Sequence, residues 1–474
     1  MHSKTHLLLL TARALVRLYR FKEAREVLHA VPPMAEGSDE DVTAQMLAGE
    51  IAVRSGEIGD GLQLLQAAER CSSRAHRTIR EELALNLALA HYCLHDYPVA
   101  EEILATIPPD ADLIYARAIQ YYGWIAWARG ETGSATVRFV NALKAFDKGS
   151  YHDRYFEAGC VRALAHLAVE RMDRATWEFV RDRRATIDWT ATKLAESHFF
   201  VTYCAAGYEL DVEGNVLSAT REARRAEEMA TSPAFRVQAR CKRAAIAHAV
   251  GEPVARHDHL EGAVDLFAGI ELAKLTGDEN VVPLVLAEEL ADSRPSDALL
   301  LVDRYRAMAP PAPMRVSAQS PISEAYRNFV EGRAHEGGGR RDEAIRAYRA
   351  AFERYRKCDY TRRACMTAIS LWKLTGDQRY AKYASAATRG LPARSVLRTN
   401  VMRGIARSIR LTAVQREVVA LICQGKSNPE IARLRKRSLH TVRNLVARLF
   451  ELFEVQSREQ LAVECVRRGL YTPS

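Results

Sequence analysis

The chain has 474 residues, of which 48% are hydrophobic and 27% charged, a composition typical of a folded protein with a large core. Its formal net charge is +9, but residues 389–474 hold 17 Lys and Arg against 6 Asp and Glu, so the preceding part is slightly acidic. The nine cysteines are scattered, odd in number and without a C-x-x-C pair. This pattern excludes a disulfide framework and predicts reduced, mostly structural thiols in a cytoplasmic protein.

No stretch of the sequence is apolar for long enough to cross a bilayer, and the apolar run at 7–10 is short and followed by Arg13 and Arg17. The sequence therefore predicts neither a membrane span nor a signal peptide, and no membrane partner is expected.

The first 388 residues are predicted to be helical, because they are rich in Ala, Leu, Arg and Glu and contain few alternating β-branched stretches. They also contain an internal repeat. Residues 21–33 (FKEAREVLHAVPP) resemble residues 97–109 (YPVAEEILATIPP), and residues 56–65 (GEIGDGLQLL) supply an intermediate copy. Residues 337–348 (GGGRRDEAIRAY) form the clearest later copy.

Each repeat has a first helix that ends at a glycine or polar turn and a second helix that begins with a small residue, often alanine. This pattern is similar to the tetratricopeptide repeat, whose usual period is about 34 residues, although the units here are longer and irregular. Because one unit cannot bury its apolar face alone, the units are predicted to stack into an α-solenoid of about eight or nine helical hairpins. The concave surface of a solenoid suits a protein, peptide or small-molecule effector.

Two segments interrupt the helical pattern. Residues 308–314 (MAPPAPM) cannot lie inside a helix and predict a loop, and residues 390–392 (GLP) are predicted to end the solenoid. The sequence therefore predicts an all-α chain in three parts: an α-solenoid over 1–388, an arginine-rich basic linker, partly helical, over 389–410, and a small helical domain over 411–474.

The C-terminal part contains a series of helix-start signals. Three are capping boxes, in which a hydroxyl and a Glu or Gln three residues later satisfy backbone N–H groups: Thr412 with Gln415, Ser427 with Glu430, and Ser457 with Gln460. Ser438 is a simpler N-cap, and Gly425 and Gly469 are placed to end helices. Four helices are predicted, over 413–424, 428–435, 439–453 and 458–468, and the short gap between the second and third is typical of a helix-turn-helix.

The third of these helices has two faces. Its apolar residues recur at helical spacing and predict a buried stripe: Val442, Val446, Leu449 and Phe453. The opposite face carries small and polar residues flanked by arginines: His440, Arg443, Asn444, Ala447, Arg448 and Glu451. A helix of this kind can enter a major groove, where Arg reads guanine or holds phosphate and Asn reads adenine.

The run LTAVQREVVALICQGKSNPEIARLRKRSLHTVRNLVARLFELFEVQSREQLAVECVRRGL, residues 411–470, resembles the DNA-binding domain of LuxR-type (GerE-type) transcription regulators. The matching pieces span the whole motif: Leu411-Thr412, Arg416-Glu417-Val418, Gly425, Ser427-Asn428, Glu430-Ile431-Ala432, Thr441-Val442, Val455 and Ser457-Arg458. At the turn, Arg435, Lys436 and Arg437 replace a Leu-Gly-Ile-like triplet and add charge that favours phosphate contact. Leu445 stands at an often polar position, and Glu454 replaces a usual glycine.

The resemblance implies a protein that binds double-stranded DNA as a homodimer, with helix 439–453 in the major groove and helix 458–468 at the dimer interface. Arg443, Asn444 and Ala447 would face base edges. The residues expected to hold phosphates are Ser427, Asn428, Thr441 and Arg448, together with the turn residues Arg435, Lys436 and Arg437.

No motif indicates catalysis, so we predict no catalytic residue, cofactor or metal. The pair Gly425-Lys426 lacks the preceding glycine of a phosphate-binding loop, since Ala420 stands at that position. A metal could be held by His257, His259 and Glu261, but a solvated polar turn is the preferred interpretation, because i and i+2 residues do not share a helix face.

Two further clusters admit two interpretations each. Trp124 and Trp127, with neighbouring tyrosines, could line a groove, but helical spacing favours the core. Cys358 and Cys365 could form a redox pair, but inert thiols are favoured.

The leading hypothesis is a cytoplasmic transcription regulator whose solenoid senses an effector. The alternative is a solenoid adaptor that binds proteins and whose helix-turn-helix has lost specific recognition, and its best support is the turn at 435–437.

Overall fold

The computed structural model describes residues 4–18, 20–110, 112–149, 153–191, 194–275, 277–308, 320–408, 411–453, 455–467 and 470–471. These residues form 25 α-helices, a few short helical turns of other types and connecting loops, and no β-strand occurs among them. The predicted all-α class is confirmed. The chain divides into two compact units, which we call unit 1 (1–364) and unit 2 (365–474). No helix in the described ranges is both long and apolar enough to span a membrane.

Unit 1 is built from consecutive antiparallel helical pairs. The nine pairs in its described part are α1 (Lys4–Arg17) and α2 (Phe21–His29), α3 (Asp39–Ser55) and α4 (Ile58–Cys71), α5 (Arg77–Cys93) and α6 (Tyr97–Leu104), α7 (Asp112–Ala128) and α8 (Thr132–Lys148), α9 (Arg154–Arg171) and α10 (Arg174–Thr186), α11 (Ala195–Tyr208) and α12 (Val216–Met229), α13 (Pro233–Val250) and α14 (Pro253–Ala268), α15 (Val282–Leu290) and α16 (Pro295–Ala307), and α17 (Pro321–Gly337) and α18 (Arg341–Lys357). A π-helical segment, Glu209–Glu213, extends α11.

The pairs stack in chain order. First helices pack on one another in succession, as α1, α3, α5 and α7 do, and second helices pack against the first helix of the next pair in most of the array. Because each pair covers the apolar face of its neighbour, the described pairs form the continuous α-solenoid that the repeat predicted.

Small residues at the start of the second helices let the two helices of a pair approach closely. The alanines at this position are fully buried: Ala24, Ala100, Ala135, Ala219, Ala298 and Ala344. In the second pair, a Cβ added at Gly61 would lie 2.7 Å from the backbone nitrogen of Val53, and one at Gly49 would lie 2.7 Å from Leu65 Cγ. Larger side chains would force these helices apart, so the predicted role of the small residues is confirmed.

Unit 2 contains the end of α19 (Thr361–Thr375), α20 (Gln378–Thr388), α21 (Val396–Ser408) and four further helices, which are α22 (Ala413–Cys423), α23 (Asn428–Leu434), α24 (Leu439–Phe453) and α25 (Arg458–Arg467). The last four agree with the predicted helices to within a residue or so at each end.

The division between the units lies inside α19, earlier than the solenoid end predicted at 388. Much of the predicted linker is helix α21, which packs against α20. The break at 390–392 does end α20, and α16 ends just before the proline-rich loop at 308–314, most of which lies outside the described residues.

Candidate nucleic-acid interface

The first two helices of the C-terminal domain begin at the predicted capping residues. Thr412 Oγ1 accepts a hydrogen bond from the Gln415 N–H at 3.2 Å, and Gln415 Oε1 accepts one from the Thr412 N–H at 2.9 Å. At α23, Glu430 Oε2 accepts from the backbone N–H and the hydroxyl of Ser427, at 2.7 and 2.6 Å. The Ser427 hydroxyl and N–H lower the pKa of the Glu430 carboxyl, which keeps this cap charged.

The ends and later starts follow the same local rules. Gly425 takes the left-handed backbone at φ +81°, and the Lys426 N–H closes the end of α22 on the Leu421 carbonyl at 3.0 Å. At α25, the Gln460 N–H donates to Ser457 Oγ at 3.2 Å, but the Gln460 amide oxygen accepts from the residue before Ser457, so only half of this capping box forms as predicted. Gly469 lies outside the described residues.

The turn between α23 and α24 places Lys436 in the left-handed region, at φ +50°. The Arg437 N–H donates to the Ala432 carbonyl at 3.0 Å, and the Lys436 N–H donates to the Arg433 carbonyl at 3.2 Å. These two bonds are the usual helix-ending pattern in which glycine is preferred. The backbone of a helix-turn-helix is therefore formed although a lysine occupies the left-handed position.

Helix α24 buries the predicted stripe in a core shared by all four helices. The fully or nearly fully buried members of this core are Leu411, Val418, Val419, Ile422, Ile431, Ala432, Val442, Val446, Leu449, Phe453, Leu461 and Cys465. Leu445, at a position where a polar residue was expected, is partly buried and packs against the same core. Since the stripe is anchored on three other helices, the orientation of the opposite face is fixed.

That opposite face is solvent-exposed. Arg443, Asn444, Ala447 and Arg448 are all exposed, and neither arginine has a carboxylate partner among the described residues. Asn444 Nδ2 lies 3.1 Å from His440 Nε2, so the amide is held by its neighbour one turn earlier. The helix thus presents two unpaired cations, an oriented amide and a small side chain on one surface.

The remaining predicted contact residues around α23 and α24 have partners inside the domain. Asn428 Oδ1 accepts a hydrogen bond from Arg458 at 2.9 Å, and Ser427 is engaged with Glu430 as described above. Thr441 donates its N–H to Ser438 Oγ at 3.1 Å, and the two hydroxyls are 2.8 Å apart. These side chains are near the N-termini of the two helices, where backbone N–H groups also favour anions.

The three basic residues of the turn fall into two groups. Arg435 donates to the carbonyl oxygen of Val414 at 3.0 Å and forms an ion pair with Glu417 at 2.5 Å, and only 18% of its side chain is exposed. Lys436 and Arg437 are exposed and have no carboxylate partner in the part of the chain that the structure describes. Arg435 therefore joins α23 to α22, whereas the other two cations are free to meet a polyanion.

The family of bacterial regulatory proteins described as the luxR family matches residues 410–465. These residues form a LuxR-family helix-turn-helix domain. The match includes α22, α23, α24 and most of α25, and it confirms the resemblance predicted from the sequence. The LuxR-family domain supports a role as a DNA-binding transcription regulator.

Several solved structures are similar to this chain over most of its length. A Rap protein in complex with competence and sporulation factor is 11% identical, with a TM-score of 0.44 over 90% of this chain and 99% of that chain. The Cut9–Hcn1 assembly of the APC/C is 12% identical, with a TM-score of 0.44 over 94% of this chain and 83% of that chain. The TPR domain of P58(IPK) is 15% identical, with a TM-score of 0.20 over 74% and 98%. No curated protein matches the chain significantly in sequence.

Arg458 has a role in the LuxR-family domain that the sequence did not predict. Besides its bond to Asn428, it donates to the carbonyl oxygen of Lys426, so it ties the start of α25 to the start of α23. Burial lowers the pKa of its guanidinium. The sequence showed that Arg458 belongs to a matching piece of the motif. The partners of its side chain depend on how α25 packs and could not be predicted.

The other candidate clusters lie outside the helix-turn-helix domain. His257 is exposed and 3.6 Å from Glu261, and no group of three potential metal ligands occurs among the described residues. The rings of Trp124 and Trp127 stack at 5.4 Å, and both side chains are half-buried. Burial raises the pKa of Cys365 to about 12 and also raises that of the Cys358 thiol, so neither has the thiolate character of a redox pair.

Proposed function

We propose that this protein is a sequence-specific DNA-binding transcription regulator in which α24 enters the major groove of double-stranded DNA. The observation that carries the proposal is the exposed face of α24, held opposite a fully buried stripe. An α-helix fits the major groove, where base pairs present distinct hydrogen-bonding patterns. A regulator of this kind acts in the cytoplasm of a bacterium, where the chromosome is accessible.

Three side chains of α24 would contact the base edges. Arg443 can donate two hydrogen bonds to guanine, Asn444 can pair with adenine, and Ala447 can contact a thymine methyl group. The bond between Asn444 and His440 reduces the rotameric freedom that the amide would lose on binding.

Phosphate contacts fall to residues around the reading face. Lys436, Arg437 and Arg448 are exposed and have no carboxylate partner in the described chain, and Thr441, Ser427 and Asn428 lie near helix N-termini. The contacts of Arg435 with α22 favour a structural role for that residue.

We further propose that the protein binds a two-fold operator as a homodimer through α25. Val463 and Val466 lie on one side of α25 and are 66% and 43% exposed. Apolar side chains one turn apart on a short exposed helix can pair with the same surface of a second copy. Two reading helices would then meet half-sites about one helical turn of DNA apart.

Unit 1 is proposed to sense a protein, peptide or small-molecule effector. Its stacked pairs are slightly acidic overall and form the kind of extended helical surface on which partners dock. The two parts would then divide the work between effector sensing and DNA recognition.

The test is a DNA-binding titration of the full chain at fixed salt, with genomic fragments, random competitor and variants of the best site. Arg443→Ala should relax preference at one base pair per half-site, at a cost of about 1–3 kcal/mol. The matched control is Arg448→Ala, which should weaken all duplexes alike. Equal weakening by both variants would make Arg443 a phosphate contact, and no preference for any genomic fragment would favour the adaptor hypothesis.

A further inference from the structure

The turn between α18 and α19, residues 358–363, lies against helices that are distant in sequence, and we call it the α18–α19 turn. Thr132, at the start of α8, donates from Oγ1 to the carbonyl oxygen of Cys358 at 2.6 Å, across 226 residues of sequence. Arg171, at the end of α9, is 3.1 Å from the carboxylate of Asp359. The last pair of unit 1 is therefore fastened to its middle pairs.

Tyr360 continues this attachment through its hydroxyl group. The Oη atom accepts a hydrogen bond from Trp127 Nε1 at 2.9 Å and lies 3.1 Å from His166 Nε2. Tyr360 is buried, and burial also lowers the pKa of His166 to about 4, so the imidazole is neutral at physiological pH. Two first helices, α7 and α9, therefore contact the same phenol.

Two adjacent arginines complete the attachment. Arg362 forms ion pairs with Glu170 at 2.5 Å and with Asp211 at 2.8 Å. Arg363 forms an ion pair with Glu288 at 2.7 Å. The three carboxylates come from α9, from the π-helical extension of α11 and from α15, so three first helices converge on one Arg-Arg pair.

We call Glu170, Asp211 and Glu288 the acidic receptor. The Tyr326 hydroxyl donates to Glu288 Oε2 at 2.7 Å, whereas Glu170 Oε2 is buried without a hydrogen-bond partner among the described residues. Burial opposes ionisation of Glu288, but the neighbouring Arg363 outweighs it and lowers the pKa of that carboxyl to about 2. Glu288 therefore stays charged, and Glu170 has unused acceptor capacity.

The chemistry of this receptor decides what can replace the internal arginines. Removing one partner of a buried ion pair leaves an uncompensated charge and is strongly unfavourable. A second pair of guanidinium groups avoids that penalty, because it restores every charge and supplies donors in the same planar geometry. An apolar ligand could not exchange in this way.

The position of the turn in the chain gives such an exchange a consequence. Helix α19 begins in unit 1, at the arginines, and ends in unit 2, the unit that includes the LuxR-family domain. Release of the first turn of α19 would free the segment through which the two units are covalently joined.

We propose that the acidic receptor is the effector site of unit 1, that Arg362 and Arg363 fill it in the absence of effector, and that the effector is a peptide with two adjacent arginines. This proposal rests on the proposed function, since it names the effector class of the sensing unit. The internal occupant is tethered, so it competes at an effective concentration on the order of millimolar. The apparent affinity of a free peptide is therefore its intrinsic affinity multiplied by the small fraction of molecules in which the receptor is empty.

This competition makes an unusual prediction: weakening the internal occupant should tighten the binding of the free peptide. The probe is a fluorescein-labelled peptide of residues 355–366 with both cysteines replaced by serine (YRKSDYTRRASM), titrated with the full-length chain without DNA. Arg363→Gln removes a cation from the occupant and leaves the receptor intact, and it should bind the probe at least about tenfold more tightly than wild type. A peptide with glutamines in place of Arg362 and Arg363 (YRKSDYTQQASM), which keeps Arg356, should not bind.

A milder variant covers the case in which Arg363→Gln does not fold. Thr132→Val keeps the shape of the side chain, touches neither the receptor nor α19, and removes only the hydrogen bond to Cys358. It should tighten the probe by about fivefold, the equivalent of one ordinary hydrogen bond.

The opposite perturbation locks the occupant in place. A Cβ at Gly130 would lie 3.5 Å from the Cβ of Cys358, within the range for a disulfide, so Gly130→Cys should bond to the natural Cys358 on treatment with oxidised glutathione. The oxidised variant should bind the probe less tightly than wild type, and less tightly than the same variant after reduction. Gly130→Ser is the control, since it carries the same backbone cost at φ +83° and the same close approach of its Cβ to Cys358 Sγ, 2.5 Å, without the crosslink.

The proposal is overturned if Arg363→Gln and Thr132→Val bind the probe no more tightly than wild type, or if the peptide without the two adjacent arginines binds equally well. A structural ion network would give that result, with lower stability as the only effect. Because the probe is titrated without DNA, these outcomes are independent of the Arg443→Ala test, and either proposal can fail while the other stands.

Discussion

Arg435 and Arg437 provide a matched pair for separating structure from DNA contact, because they are two residues apart in one turn and differ in their partners. Arg435→Gln removes a charged donor from the Val414 carbonyl, which costs about 1.5–3 kcal/mol. The ion pair with Glu417 adds at most about 0.5 kcal/mol, since the glutamate side chain is 64% exposed. The expected loss of stability in the LuxR-family domain is therefore about 2 kcal/mol. Arg437→Gln should change stability by no more than about 0.5 kcal/mol.

The two variants should behave in the reverse order on DNA. Arg437→Gln should lower the slope of log affinity against log salt by about 0.9, the value for one phosphate contact, whereas Arg435→Gln should leave the slope unchanged. Stability is measured by hydrogen exchange of the α23 and α24 amides in the full chain, and DNA affinity by titration at several salt concentrations. If Arg435→Gln lowers the slope without speeding exchange, the assignment of Arg435 to domain structure is wrong.

Three further predictions concern the left-handed turn residue, a buried carboxyl and the basic segment before the LuxR-family domain. Lys436→Gly should slow amide exchange in α23 by the equivalent of about 0.5–1 kcal/mol, because it relieves the left-handed backbone, and Lys436→Ala should not. Burial and the neighbouring Glu288 raise the pKa of Glu289 from 4.5 to about 7. The stability that this carboxyl contributes below pH 4.5 is therefore lost as the pH rises to 7. Glu289→Gln should therefore stabilise the protein by about 1–2 kcal/mol at pH 8 but not at pH 4, measured by urea unfolding. Residues 365–410 hold nine Lys and Arg and one Asp. For a 365–474 fragment, the slope of log DNA affinity against log salt should therefore be steeper than for a 411–474 fragment. Equal slopes would exclude phosphate contacts from α19–α21.

The features that the sequence determined by itself are those set within a few residues along the chain. Thr412 and Gln415 cap α22, and Gly425 ends it with a left-handed backbone. Both features depend on hydrogen bonds between residues three to five positions apart. The small residue at the start of most second helices has the same local character, since Ala24 and its alanine equivalents in other repeats are all fully buried. The buried stripe of α24 follows from helical periodicity, and the opposite face follows from the stripe.

Only the tertiary structure decided which side chains meet across long stretches of sequence. Arg435 and Arg437 look alike in the sequence, but the packing of α23 on α22 turns one toward a carbonyl and leaves the other exposed. The pairing of Arg362 with Glu170 joins residues 192 positions apart, and no local pattern marks either one. The solenoid curves because small rotations between many stacked pairs add up. That sum determines which helices the α18–α19 turn contacts. For that reason the repeats could be predicted from the sequence, whereas the long-range contacts of Arg362 and Arg363 could not.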